Sequence, residues 1–140
     1  MATAFTSSEV ATTVPARGGI GLIESSSSYD LAAALVINDT ISMVKLPTRA
    51  IVKDIILSTP DLDSDGSPAV VLAVGDSVDD DRFITGSTVG QAGGVARMNA
   101  AGGHLYEYAS ETNILVKATT APATGATTGT IKLTVLYSLS

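Results

Sequence analysis

The chain has 140 residues, 14 acidic against 8 basic side chains for a net charge of −6, 45% hydrophobic residues and no cysteine. A domain of this size buries roughly 68–70% of its unfolded surface, so a core forms without disulfides or structural metals. The balance excludes general disorder, a disulfide framework or thiolate chemistry, and the basic footprint that phosphate neutralisation demands of a nucleic-acid binder.

Residues 1–17 carry no strand period and few large apolar groups, which predicts an extended N-terminal arm ordered by a neighbouring subunit. Met1-Ala2-Thr3-Ala4-Phe5-Thr6-Ser7-Ser8 lacks the basic and apolar regions of a secretory signal. The longest apolar runs, residues 31–37 and 69–74, fall far short of the ~20 needed to span a bilayer, so no membrane partner is expected. The chain is expected in the cytoplasm of its host when first made.

Residues 18–140 are expected to form one domain. Charged residues are only 16%, and Ser and Thr take their place, clustering in residues 3–13, 25–28 and 119–130. Thr favours strands, Ser and Gly favour turns, and no apolar period of 3.6 persists over three turns. Residues 20–24 form a short strand after Gly18-Gly19. Residues 31–37 and 41–46 flank Asn38-Asp39-Thr40 and predict a hairpin, although the alanines of the first run suit a helix equally well. After Pro47 come a strand at 50–58, a loop at 60–68, a strand at 69–75 and a short edge strand at 82–85. Residues 87–103, rich in glycine, predict a long loop with at most one helical turn. Strands at 105–109, 113–118 and 130–139 complete the set. The last alternates best, with Ile131, Leu133, Val135, Tyr137 and Leu139 on one face and Lys132, Thr134 and Ser138 on the other. Eight or nine short strands without helices predict an all-β, two-sheet antiparallel sandwich of jelly-roll or related Greek-key topology, with a closed barrel as the competing arrangement.

Few residues offer chemistry. Asp61, Asp63, Asp65 and Gly66 spell the opening of a calcium loop, but Leu72 stands where the closing Glu belongs, and the flanks read as strands. Asp76, Asp79, Asp80 and Asp81 form a second acidic group. The two groups bracket one strand and lie ~23 Å apart, too far to share an ion. Each could hold a cation separately; the competing reading is that aspartates at turns bond their own backbone. His104 is the only histidine, and no G-x-S-x-G elbow accompanies it. Glu107 and Glu111 read as outward residues rather than a glycosidase pair. Neither Gly19-Ile20-Gly21 nor residues 125–130 has the spacing of a phosphate loop. Aromatics are 4%, and Tyr106 and Tyr108, the one pair on a shared strand face, sit beside Glu107 and Glu111, unlike a nucleic-acid stacking platform. The residues therefore predict no catalytic, cofactor or metal site.

Met43-Val44-Lys45-Leu46-Pro47-Thr48-Arg49-Ala50-Ile51-Val52-Lys53-Asp54-Ile55-Ile56-Leu57 is a strand, an LP-x-x-A turn and a second strand. It is followed by Asp61-Leu62-Asp63, Val74-Gly75-Asp76, Asp79-Asp80-Asp81-Arg82-Phe83-Ile84 and the closing run Gly129-Thr130-Ile131-Lys132-Leu133-Thr134-Val135. Across about residues 30–138 the chain resembles small tailed-bacteriophage virion proteins of the capsid decoration, or cement, type. The resemblance implies a β-sandwich on the outer capsid surface, a homotrimer near threefold axes, the major capsid protein as partner, and no enzyme activity. Low charge suits close packing of copies, while the residual net charge preserves solubility. Alternatives are a neck, tail or head-fibre base protein, or a calcium- or carbohydrate-binding sandwich using the Asp61–Asp65 loop and the tyrosines.

Overall fold

The computed structural model describes residues 21–140; the expected arm at residues 1–17 lies outside them. Eight strands form two sheets: β1 Ile23–Asp30, β2 Thr40–Leu46, β3 Ala50–Thr59, β4 Val71–Gly75, β5 Ile84–Ser87, β6 Gly94–Arg97, β7 Thr112–Thr120 and β8 Thr130–Leu139. Sheet I has the order β1-β8-β3-β6 and sheet II the order β2-β7-β4-β5. All pairings are antiparallel: β1 with β8, β2 with β7, β3 with β6 and β4 with β5. The chain is thus one long hairpin turning between β4 and β5, rolled up so that β8 also pairs β3 and β7 also pairs β4. This is the expected jelly roll, an open sandwich rather than a closed barrel.

Side-chain parity explains the elements. In β8, Ile131, Leu133, Val135 and Tyr137 point inward and are buried, as the alternation predicts, while Leu139 is 51% exposed where the ladder ends. In β3, Ala50, Val52, Ile55 and Leu57 are all fully buried although 52 and 55 are three apart. A bulge between Val52 and Asp54 absorbs the odd residue and returns the pattern to the core. A second bulge between Ser42 and Val44 lets Met43, Val44 and Leu46 of β2 all be buried. Ser27 of β1 donates to the Met43 carbonyl at 2.5 Å and joins the two sheets at that bulge. Phe83, Leu62, Leu72, Ile84 and Ile114 complete the core between the sheets.

Four expectations are corrected. The strand expected at 20–24 is β1, and it runs on through the whole serine cluster to Asp30. Hydroxyls suit it because its outward face lies at a sheet edge, opposite β8 alone. Residues 31–37 are not a strand, and there is no hairpin with 41–46: only Leu31 of that run is buried, β1 and β2 lie in different sheets, and β2 pairs β7 instead. Within the expected glycine-rich loop, Gly94–Arg97 is a strand along β3, flanked by single 3-10 turns at Val89–Gln91 and Ala101–Gly103. Residues 105–109 are not a regular strand: the backbone of Leu105, Tyr106 and Tyr108 bonds to Arg49, Ala50 and Val52 beside β3, but only the bridge of Glu107 to Ile51 forms, and Leu105 at φ 67° breaks the extended run.

Candidate functional site

The loops collect at two ends of the sandwich, and one buried aspartate holds each end together. At the first end meet the connections β1–β2, β3–β4, β5–β6 and β7–β8, joined by Leu31 N–H to Gly129 O (2.8 Å), Leu62 N–H to Gly90 O (2.8 Å) and Ser64 N–H to Thr124 O (3.0 Å). Asp63, 1% exposed, sits among them. Its Oδ2 accepts from the backbone of Ala69 (2.7 Å), Val70 (3.2 Å) and Ala123 (2.9 Å), and its Oδ1 from Thr124 (2.9 Å) and Asp65 (3.3 Å). Burial pushes this carboxyl up, but the N–H groups of Ala69, Thr124, Ala123 and Asp65 outweigh it and hold it far below the usual range.

The D-x-D-x-D-G spacing has the same explanation. Asp61 accepts from the Asp63 N–H, Asp63 from Asp65, and Asp65 from Ser67, each two residues on. The period that reads as a cation loop is a run of successive Asx turns. The backbone-bonding reading of this loop is the one the geometry displays.

At the second end Asp76, 2% exposed, closes the β4–β5 turn. Its Oδ1 accepts from the Val78 and Asp79 N–H groups, both at 2.9 Å. Its Oδ2 takes Arg82 Nε at 2.7 Å and the Tyr108 hydroxyl at 2.6 Å, so the β6–β7 loop is tied to the β4–β5 turn. Burial pushes Asp76 up, but Arg82, Tyr108 and the two amides bring its carboxyl to about 2. Nearby, oxygens of Asp79, Asp80 and Asp81 lie within 4.8 Å of one another. They are answered from within the chain: Asp80 by Lys117 Nζ at 2.6 Å, Asp81 by the Thr85 hydroxyl at 3.0 Å, and Asp79 by Arg82 at 3.9 Å. The closeness of the Asp79 and Asp81 carboxyls raises the first and lowers the second, which Thr85 also helps to keep ionised.

The other singled-out residues do not converge on a reaction. His104 is exposed in the β6–β7 loop and lines an open recess with Lys53, Asp54 and Arg97. Glu107 is exposed, accepts a hydrogen bond from Ser140, and bridges to β3. Glu111 lines a separate groove of about 720 Å³ on the sheet II side. In that groove the Arg82 guanidinium lies 3.9 Å from the Tyr106 ring centroid and covers the face on which a sugar would stack. Tyr108 is buried with its hydroxyl engaged, so the two tyrosines do not form an open platform.

The two outer faces differ. The turn at 76–81 folds back over sheet II: a Cβ on Gly75 would lie 2.1 Å from the Asp79 carbonyl oxygen, and Ala73 is 1% exposed. Among the described residues sheet I has no such cover. Its outward rows run Ser26–Thr134–Ile56–Arg97 and Ser28–Lys132–Ser58–Val95, a surface of hydroxyls, half-buried aliphatics and a few charges. Sequence reading missed this face; the signal was the polar alternation of β8 opposite the serine run.

No protein-family model matches the chain, and no curated protein is significantly similar. Solved structures are similar over almost its whole length. A chain in the cyanophage Pam1 capsid asymmetric unit is 28% identical, with a TM-score of 0.80, over 98% of this chain and 99% of that one. A chain in the capsid of Ralstonia phage GP4 is 29% identical, with a TM-score of 0.79, over 93% and 92%. The resemblance is to phage capsid-associated proteins. The acid-stable capsid of Helicobacter pylori bacteriophage KHP30 adds a likeness of fold alone, at 18% identity and a TM-score of 0.53 over 84% of this chain and 94% of that one. The phage-capsid resemblance read from the sequence is thus borne out by whole-chain structural similarity, and the similar chains are of nearly this chain's own length.

Proposed function

We propose that the chain is a structural virion protein that binds the outer surface of a phage capsid and stabilises contacts between its major capsid proteins. One observation carries the reading: the match spans nearly all of both chains in two phage capsids, so the likeness is to a separate small polypeptide rather than to a domain of a longer one. The physical chemistry supports it. Both loop ends are held by buried, fully engaged aspartates, which spares a docking surface the entropy of ordering on binding. The 16% charge content and the hydroxyl-rich sheet I face suit polar, closely packed neighbours. In this reading residues 18–140 dock on the shell and the preceding residues 1–17 grip it as an arm. Homotrimer formation multiplies modest contacts into tight lattice binding. No bond is made or broken.

Co-sedimentation of the purified chain with heads assembled without it tests the reading. Binding that saturates at a fixed ratio to the major capsid protein supports it. Association with tails or necks but not with heads would assign the chain to a different virion component, and retention on a glycan array without head binding would overturn the capsid reading.

A further inference from the structure

The connection from β1 to β2 turns its apolar residues outward. Leu31 is buried and Leu35 packs partly against the core, yet among the described residues Ala32, Ala33, Val36 and Ile37 are exposed, the last two at 58% and 60%. The tip is held in one geometry. Val36 N–H donates to Asp39 Oδ2 at 2.9 Å, and Asp39 N–H donates to the Val36 carbonyl at 3.1 Å, closing a turn over Ile37 and Asn38. Asn38 takes the left-handed φ of 70° at that turn, and its N–H reaches the Ala118 carbonyl of β7 at 2.8 Å. Polar residues would serve such a turn as well, whereas two adjacent aliphatics keep apolar surface in water and add nothing to the core.

Acid surrounds this tip. The four connections of the first end carry Asp39, Asp61, Asp63 and Asp65 and no Lys or Arg. Asp63 is buried, and the other three are partly or fully exposed. Of the cations on strands that reach this end, Lys117 of β7 is bound to Asp80 at 2.6 Å, and Lys132 of β8 stands in the outward row of sheet I. Residues 1–20 precede β1 at the opposite end, where Ile23 lies beside Tyr137; the eight residues of β1 separate that point from the first end by about 26 Å.

We propose that the tip formed by Val36 and Ile37 is a docking anchor, and that its partner is a protein surface with an apolar pocket bordered by Lys or Arg. The proposal rests on the capsid reading for where that surface lies, namely on the major capsid protein. Charge complementarity selects the partner. Asp39, Asp61 and Asp65 favour a basic border, and the same acid sets two copies of this end against each other. The closed turn loses little freedom on binding, so its two aliphatics contribute nearly their full burial to the complex.

Binding to heads assembled without the chain is measured for the wild type, for Val36→Ser/Ile37→Ser, and for Val78→Ser, which removes an aliphatic 89% exposed at the second end. The tip variant is expected to bind about tenfold more weakly, whereas Val78→Ser binds as wild type. Wild-type binding should weaken as salt is raised from about 0.05 to 0.5 M, and binding that tightens instead would overturn the basic border. Before any heads are added, the tip variant should melt within about 2 °C of wild type and keep its native mass. A clear fall in melting temperature would place the tip against the chain's own remaining residues, and a fall in mass would place it against a second copy; either overturns the inference. Heads that bind the tip variant as tightly as wild type would overturn it while leaving the capsid reading intact. Zwitterionic lipid vesicles that retain the wild type but not the tip variant would assign the tip to a membrane and overturn it too. Absence of wild-type binding to heads would instead sink the capsid reading.

Discussion

The Tyr108 hydroxyl donates to Asp76 Oδ2 at 2.6 Å, across 32 positions of sequence, with the two residues 6% and 2% exposed. Burial and the adjoining carboxylate push the phenol well above its ordinary 10.0, so it remains a donor throughout the working range. Tyr108→Phe keeps the ring and removes the donor. It is expected to lower stability by about 1–2 kcal/mol in urea titration, the worth of a hydrogen bond to a buried charge. An unchanged midpoint would show that Arg82 and the two amides suffice.

Asp63 offers a sharper isosteric test. Both carboxylate oxygens accept from backbone N–H groups, so in Asp63→Asn the amide must point its NH₂ at other donors whichever way it is turned. The melting temperature is expected to fall by on the order of 10 °C. Calcium should not restore it, because the loop's spacing serves Asx turns.

Acid should act through the same groups. Asp76 titrates at an ordinary 3.8 in the unfolded chain and at about 2 in the fold. A depressed carboxyl contributes stability that is fully present above 3.8 and is lost as pH falls through about 2, here about 2 kcal/mol. Asp63 acts with the same sign over a lower range. Urea midpoints are expected to fall from about pH 4 downward, and Asp76→Asn is expected to flatten that fall as well as lower the plateau. A wild-type curve with no loss by about pH 2 would contradict the assignment.

Two glycines separate close approach from open space. A Cβ at Gly75 would meet the Asp79 carbonyl at 2.1 Å, whereas one at Gly66 meets nothing within 4 Å. Gly75→Ala is expected to cost about 2–3 kcal/mol by forcing the 76–81 turn off sheet II. Gly66→Ala should stay within about 0.5 kcal/mol of wild type. A large loss at Gly66 would indicate that the Asp61–Asp65 loop needs a sharper turn than it adopts here.

The strands most legible in the sequence were those whose inward residues are large and aliphatic, such as β8, β7 and β3. β1 was cut short because Ser25 to Ser28 carry no apolar signal: at a sheet edge the backbone ladder to β8 does the ordering and the side chains can stay polar. Residues 31–37 misled for the opposite reason, since apolar Val36 and Ile37 are 58% and 60% exposed in a connection. β6 was hidden because it has four residues and begins with a glycine at φ 149°. The acidic loops were visible, but their buried members were not distinguishable from the exposed ones. What selects Asp63 and Asp76 is contact with Thr124 and Tyr108, long-range partners that no local spacing encodes. The outer face of sheet I was invisible because it exists only once β1, β8, β3 and β6 are laid side by side.

The most direct test of the account compares DNA-filled heads lacking the chain with the same heads after adding it back, by the temperature at which DNA is released. The account predicts a rise in release temperature that grows with added protein and levels off when the surface sites are filled. Release at the same temperature with and without saturating protein would contradict it.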